Sequence, residues 1–233
     1  MKKIIFGLLL VVCGGVYFIH LIYEGRIRFN YPSRKEFPIV GIDISHHQGT
    51  IDWDKLQTED ISFIIIKATE GGDFKDPRFK DNWENSKRRQ YKVGAYHFYR
   101  LCKSGKDQAV NFIQTVPADK NDLPPAIDLE FGGNCGTTQT KEQILHEIKE
   151  FLDTVHAFYE KRPILYATKD FYDEFLVNEF KEYPIWIRDI YWRPALEDDR
   201  DWTFWQFANR AHLKGIDTYV DLNVYNGDTL RLE

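Results

Sequence analysis

The sequence predicts an α/β fold: a TIM-like barrel of five βα units followed by three β-strands, with an N-terminal hydrophobic helix ahead of it. Three observations predict this class. Short apolar or β-branched runs alternate with polar, helix-like spans from residue 38 onward. Helix-like spans separate the first six runs, whereas the last runs follow one another closely. Such a repeat favours parallel strands with right-handed crossovers, and eight strands in about 195 residues fit a compact barrel.

The N-terminal segment is apolar and precedes the barrel. After two lysines, residues 4–23 contain no Asp, Glu, Lys or Arg, and a helix of that length spans roughly 30 Å. Because no convincing small-residue cleavage site follows, we interpret residues 1–23 as an uncleaved signal anchor or transmembrane segment. Secretion, or lipoprotein processing at Cys13, is the alternative. Either interpretation places the rest of the chain outside the cytoplasm, periplasmic or extracellular.

Two further regions follow this segment. Residues 24–37 are mostly polar and are predicted to form a stalk linker, and residues 38–233 are predicted to form the barrel domain. The formal net charge is −5, with 31 basic and 36 acidic side chains interspersed. This pattern lacks the basic stripe of a nucleic-acid-binding protein, so we expect no nucleic-acid partner.

Each predicted strand is a short apolar or β-branched run. In chain order the runs are IVGIDIS, ISFIIIKAT, KVGAYHFY, PPAIDLEF, RPILYAT, YPIWIRD, TFWQFAN and YVDLNVYNG. Between them, helices are predicted over residues 76–89, 104–116 and 140–161. The last of these keeps apolar residues at helical spacing, and the second opens with Ser104 and Asp107 in capping positions.

Polar side chains stand late in these runs, where the active sites of βα barrels lie. They are Asp43, Glu70, His97, Asp128, Glu130, Tyr166, Gln206 and Asp221. Asp128 and Glu130 alternate along one strand, so both project to the same face with Cβ atoms about 6.5 Å apart. Two neighbouring buried carboxylates cannot both ionise cheaply, so one pKa is expected to rise. Glycoside hydrolysis requires such an acid beside a charged carboxylate, whereas a structural pairing with Lys67 or Arg188 is the alternative.

Five ordered motifs resemble glycoside hydrolase family 25, the cell-wall muramidases. They are DISHHQG at 43–49, KATEGGDFKD at 67–76, GAYHFY at 94–99, IDLE at 127–130 and VDLN at 220–223. The resemblance implies a barrel that cleaves the β-1,4 bond between N-acetylmuramic acid and N-acetylglucosamine in peptidoglycan, without a cofactor. It also implies that Glu130 is the proton donor and that Asp128 stabilises the transition state. Asp43 and Asp221 resemble further site carboxylates, and Tyr96 resembles a sugar contact.

Other side chains have two interpretations. Tyr166 and Trp205 could stack on sugars or belong to the core. His97 could be a hydrogen-bonded barrel histidine or a site residue. We disfavour a metal site at His46 and His47, because neighbours on an extended chain point in opposite directions and no third ligand has a recognisable spacing.

Arg188 is a departure from the family pattern, which often has a small residue at that position. If Arg188 faces the site, it could bind a lactyl carboxylate of the substrate. Alternatively, it could pair with Asp128 or Glu130 and lower the pKa of that acid. The subsite near this strand therefore has two interpretations.

Cys102 and Cys135 follow two strands that are neighbours in the predicted barrel. Both would lie on the catalytic rim, where a disulfide would brace two active-site loops; two unpaired thiols are the alternative.

Two function classes follow from the sequence. One is an anchored or exported muramidase that acts on glycan strands, and the other is a catalytically silent glycan-binding protein on the same barrel.

Overall fold

The structure is a computed structural model that describes residues 2–27 and 31–231, with side chains from residue 9 onward. The strands are β1 (Val40–Ile44), β2 (Phe63–Glu70), β3 (Phe74–Lys75), β4 (Lys92–Phe98), β5 (Ala126–Leu129), β6 (Ile164–Thr168), β7 (Ile185–Arg188), β8 (Phe204–Ala211) and β9 (Val220–Tyr225). The helices are α1 (Lys2–Tyr23), α2 (Trp53–Leu56), α3 (Phe79–Arg88), α4 (Gly105–Ile113), α5 (Lys141–Tyr159) and α6 (Lys169–Phe171). A π-helical turn over Tyr172–Leu176 continues α6, and a short 3₁₀ helix covers His46–Gln48.

Eight of these strands form a closed barrel, as predicted. The order is β1, β2, β4, β5, β6, β7, β8 and β9, and β9 pairs with β1 to complete it. All neighbours are parallel except β9, which is antiparallel to both β8 and β1. The carboxyl ends of seven strands therefore meet at one mouth.

The barrel has an inner and an outer core. Phe63, Tyr166, Trp186 and Phe204 belong to the interior cluster, while a larger cluster fills the layer between strands and helices. Space inside is tight, because a Cβ atom on Gly41 would lie 2.4 Å from the Phe63 ring. Glycine at this position lets β1 pass the large ring that fills the bottom of the barrel.

The helices start and stop where caps are available. Ser104 accepts a hydrogen bond from the Asp107 amide at the start of α4, which is the predicted capping pair. Thr140 and Gln143 form a capping box at the start of α5. The predicted helix from residue 76 begins only at residue 79, because the Asp76 carboxylate accepts a hydrogen bond from the Arg78 amide and turns the chain there. The exposed two-residue strand β3 was not predicted.

The N-terminal segment forms the helix α1. Among the described residues, none of the helices has the combination of length and hydropathy that a membrane span requires. The side chains of residues 1–8, and residues 28–30 of the predicted stalk, lie outside the described residues. The described remainder of that stalk contacts the barrel: Phe37 is buried in the outer core, and Tyr219 donates a hydrogen bond to Glu24.

Candidate active site

A cavity of about 480 Å³ opens at the mouth of the barrel. Its lining residues come from the barrel strands and the loops that follow them. They are Asp43, His47, Lys67, Tyr96, Phe98, Asp128, Glu130, Gly132, Tyr166, Trp186, Arg188, Gln206, Asn209 and Asp221. Of the ten residues predicted to act on the substrate, eight line this cavity: Asp43, Tyr96, Asp128, Glu130, Tyr166, Arg188, Gln206 and Asp221.

Strand alternation explains why the acids meet there. Asp43 lies between Ile42 and Ile44, which both pack into the outer core, so its own side chain faces the interior. In the same way Asp128 lies between Ile127 and Leu129 of the outer core. An apolar strand with a carboxylate at an inward position therefore delivers that carboxylate to the mouth.

Asp43 and Asp221 form one pair of carboxylates on neighbouring strands. Asp43 Oδ2 accepts hydrogen bonds from Asn223 Nδ2 at 2.7 Å and from Gln206 Nε2 at 3.0 Å. Tyr166 donates to the side-chain oxygen Oε1 of Gln206 at 3.0 Å, which fixes the direction of that side-chain amide. Burial raises the pKa of Asp43, although these two donors oppose the rise. The network therefore positions Asp43 before any substrate arrives.

Asp221 shares the environment of Asp43 but has weaker donors. Gln206 Nε2 lies 3.4 Å from Asp221 Oδ2. Burial, and then the neighbouring charge of Asp43, raise the pKa of Asp221 well above the ordinary range of an aspartate. The pair consequently retains a proton at a pH where two isolated aspartates would both be ionised.

Asp128 and Glu130 form a second pair, which β5 and its following loop place across the mouth from the first. Burial, and then the Glu130 charge, raise the pKa of Asp128 well above its ordinary range. Its Oδ1 atom is buried and has no hydrogen-bond partner. Burial also raises the pKa of Glu130, while the nearby Arg188 charge lowers it. Both acids therefore tend to hold a proton, and Asp128 has an acceptor atom that lacks a donor.

Two basic side chains lie on the remaining sides of the mouth. Lys67 extends from β2 and donates to Glu70 Oε2 at 2.8 Å, so its partner is Glu70 and not a cavity carboxylate. Arg188 ends β7, on the opposite side of the eight-stranded barrel. Within the described parts of the chain, no carboxylate oxygen lies within 4.0 Å of its guanidinium. The structural alternative, in which Asp128 or Glu130 pairs with Lys67 or Arg188, does not occur.

The loop that follows Glu130 is tied to the loop that follows β4. Asn134 Nδ2 donates to the Glu130 and Tyr99 carbonyl oxygens at 2.9 and 2.8 Å. In the structure Cys102 and Cys135 form a disulfide with a Cα–Cα distance of 5.9 Å. These links fix the backbone on the C-terminal side of Glu130.

Two predicted substrate-binding residues face away from the cavity, and both predictions are wrong for the same reason. His97 lies between the inward-facing Tyr96 and Phe98, so it points into the outer core, where Thr69 and Gln108 hydrogen-bond its ring. Burial lowers the pKa of His97 to about 3, so the ring is neutral.

Trp205 is the second of these residues. It packs in the outer core and donates from Nε1 to the Asp189 carbonyl oxygen at 2.7 Å. Its neighbours Phe204 and Gln206 take the inward positions on β8. The sequence shows the alternation of a strand, but a run that is apolar on both faces does not show which face is inside.

The interpretation of His46 and His47 also needs correction. The two residues lie in a 3₁₀ helix, not an extended segment, and their ring centroids are 4.0 Å apart. Ser45 and Gln48 form a capping box that curls the chain there. His46 Nδ1 lies 2.7 Å from Asp76 Oδ2, while His47 lines the cavity. Serine three residues before glutamine was the signal that could have predicted this turn.

Several cavity residues were not predicted as site residues. Phe98 and Asn209 line the cavity, and Asn223 holds Asp43 from below. Phe98 and Asn223 each follow a predicted site residue by two positions, which is the inward spacing of a strand. That spacing was sufficient to identify them.

The sequence of this chain matches a known family and known proteins. The family model described as Glycosyl hydrolases family 25 matches residues 42–216. Lysozyme M1 of Streptomyces globisporus is 31% identical over 212 residues, covering 83% of this chain and 70% of that protein.

Solved structures give the same result. A family 25 glycosyl hydrolase from Bacillus anthracis superposes with a TM-score of 0.81 and 38% identity, covering 87% of this chain and 95% of that one. A lysozyme from Streptomyces coelicolor superposes with a TM-score of 0.74 and 29% identity, covering 83% and 94% of the two chains. The family resemblance of the motifs is thereby confirmed.

Proposed function

Because the chain belongs to glycosyl hydrolases family 25 and is a glycoside hydrolase of peptidoglycan, we propose that it is an N-acetylmuramidase with Glu130 as its general acid. The bond cleaved is the β-1,4 linkage between N-acetylmuramic acid and N-acetylglucosamine. One observation carries the proposal. Asp128 and Glu130 line one open cavity together with Asp43 and Asp221, and in the described residues neither acid is ion-paired with a base.

Glu130 suits the role of proton donor. Burial raises the pKa of this carboxyl, which favours the acid form that a proton donor needs. Glu130 is also less buried than Asp128, so the substrate can reach it. In this proposal it protonates the glycosidic oxygen as the bond to the sugar breaks.

Asp128 suits the role of the partner that stabilises the transition state. Its Oδ1 atom lacks a donor in the free protein, and the 2-acetamido N–H of the substrate can supply one. A hydrogen bond from the substrate favours the charged form of Asp128, while Glu130 keeps its own proton. Substrate binding would then set the protonation states that the reaction needs.

Asp43 and Asp221 face this pair from the other side of the cavity. We assign them to support of the positive charge that develops at the sugar ring, with Asp43 held by Asn223 and Gln206. Tyr96 and Tyr166 line the walls between the two pairs and are proposed to contact the sugar.

Digestion of purified peptidoglycan tests the proposal. The full chain is expected to release reducing sugar, and Glu130→Gln is expected to reduce that rate by about 10²- to 10⁴-fold, the usual contribution of general acid catalysis. Glu150→Gln is the matched control, because Glu150 is exposed on α5 away from the cavity. Equal release by wild type and Glu130→Gln would refute the role of Glu130. Tight binding of glycan by the wild type without release would favour the glycan-binding alternative.

The substrate also sets the location of the barrel. Peptidoglycan lies outside the cytoplasmic membrane, so residues 38–233 are proposed to act there after export. Division into an anchor at 1–23, a linker at 24–37 and the barrel stays a prediction from the sequence. Fractionation of cells with and without carbonate extraction tests the anchor, which predicts that the chain stays with the membrane pellet.

A further inference from the structure

We propose that Arg188 is a specificity-determining residue that binds a carboxylate carried by the glycan, so that the site prefers anionic strands over neutral ones. The inference rests on the proposed function, because it assigns a ligand to the same cavity. It concerns recognition of the glycan.

The position of Arg188 points its side chain into the cavity. On β7, Ile185 and Ile187 pack into the outer core, whereas Trp186 belongs to the interior cluster. Arg188 is two residues after Trp186 and therefore faces the interior, at the end of the strand where the barrel opens. It is half-buried and lines the cavity.

The charge of Arg188 lacks a close counter-ion, which sets it apart from the other cation in the cavity. Lys67 is compensated by Glu70 at 2.8 Å. The Arg188 charge lowers the pKa of Glu130 and of Asp221, so both acids are nearby. Among the described residues, however, no carboxylate oxygen lies within 4.0 Å of the Arg188 guanidinium. The carboxylate of the adjacent Asp189 is turned away from the Arg188 guanidinium, because its Oδ1 atom accepts hydrogen bonds from the backbone amides of residues 191 and 192. A half-buried guanidinium without an anion is stabilised when a ligand supplies one.

The chemistry of the guanidinium identifies the ligand class. Its planar fork of donors matches a carboxylate and can bind both oxygens at once. A muramic acid residue carries such a group as its 3-O-lactyl substituent, which is free in peptide-stripped strands. In peptide-bearing strands the lactyl group is an amide, and the stem peptide supplies carboxylates instead. Both sources offer the same chemistry to Arg188.

Equilibrium binding tests the inference without relying on turnover. The full chain carrying Glu130→Gln is titrated with three oligosaccharides: peptide-stripped, peptide-stripped with the lactyl carboxyl reduced to an alcohol, and peptide-bearing. We expect the reduced glycan to bind about 10- to 100-fold more weakly than a carboxylate-bearing one, the range for a charged hydrogen bond. Adding Arg188→Gln should abolish this difference. Arg188→Lys should retain part of it, because the charge remains but the fork is lost.

A matched control and two comparisons make the result decisive. Arg162→Gln removes the same charge at an exposed position before β6 and should leave the preference intact. Weak binding of the reduced glycan identifies the lactyl group as the ligand, whereas a preference confined to peptide-bearing strands identifies the stem peptide. The proposal is overturned if the Arg188→Gln chain keeps the full preference or if its parent shows none. Failure of wild type to hydrolyse peptidoglycan would instead refute the proposed function, and the binding comparison would still be readable.

Discussion

Removal of the Cys102–Cys135 disulfide is expected to destabilise the barrel and to slow catalysis. The bond joins the loops after β4 and β5, and the second of these loops begins at Glu130. Asn134 also ties that loop to the Glu130 carbonyl oxygen. A double substitution to serine, Cys102→Ser with Cys135→Ser, therefore removes the covalent link between the two loops and leaves the Asn134 hydrogen bonds in place.

The size of the effect follows from the loop that the bond closes. The two cysteines are 33 residues apart in sequence. The chain-entropy relation for a loop of this length gives a stabilisation of about 3.7 kcal/mol at 25 °C. At roughly 2–4 °C per kcal/mol for a chain of this size, the midpoint of thermal unfolding should fall by about 7–15 °C.

Urea unfolding followed by tryptophan fluorescence measures this change, with kcat/KM on peptidoglycan measured in parallel. Cys13→Ser is the control, since Cys13 is a free, exposed cysteine and its loss should leave the midpoint unchanged. A free-energy loss below about 1 kcal/mol for the double variant would refute the reasoning. So would full alkylation of Cys102 and Cys135 in the exported wild type without reductant.

Three further predictions concern the cavity and the barrel interior. Burial raises the pKa of Asp128, so ionisation of this acid destabilises the folded state at pH values above the ordinary aspartate pKa. Asp128→Asn should therefore raise the midpoint of thermal unfolding at pH 7, and the gain should shrink as the pH falls toward about 4. The same substitution should lower activity on peptidoglycan. Arg188→Gln removes a charge that lowers the pKa of Glu130 against burial, so the alkaline limb of kcat/KM against pH should move to higher pH, and an unmoved limb contradicts this. Gly41→Ala places a Cβ atom 2.4 Å from the Phe63 ring and should lower the free energy of unfolding in urea by about 1–3 kcal/mol. An unchanged free energy of unfolding would show that the interior rearranges to accommodate the methyl group.

The sequence was sufficient to place the acids of the site. An inward carboxylate near the carboxyl end of a buried parallel strand has few alternatives to the mouth of a barrel, so Asp43 and Asp128 reach the cavity as the alternation predicts. Asp221 reaches the same mouth from near the amino end of β9, because that strand is antiparallel to both neighbours. Gln206 was found by the same rule. Its role in orienting Asp43 through Tyr166 depends on three strands that are distant in sequence, and only the closed barrel brings them together.

Other features depend on information that a local pattern does not contain. His97 and Trp205 stand on strands whose two faces are both covered, so polarity does not tell inside from outside. His46 depends on a capping box that competes with extension of β1. The sequence does not show whether Arg188 pairs with Asp128 or Glu130, because it gives no distances. A difference of a few ångströms determines whether two charges form an ion pair.

Mass spectrometry of the soluble products from purified peptidoglycan is the most direct test of the central claim that paired acids at the barrel mouth cut the muramic acid linkage. After borohydride reduction, the wild type is expected to yield fragments that end in reduced muramic acid, and Glu130→Gln is expected to yield none above background. Fragments that end in reduced glucosamine, or equal yields from the two proteins, would contradict the account.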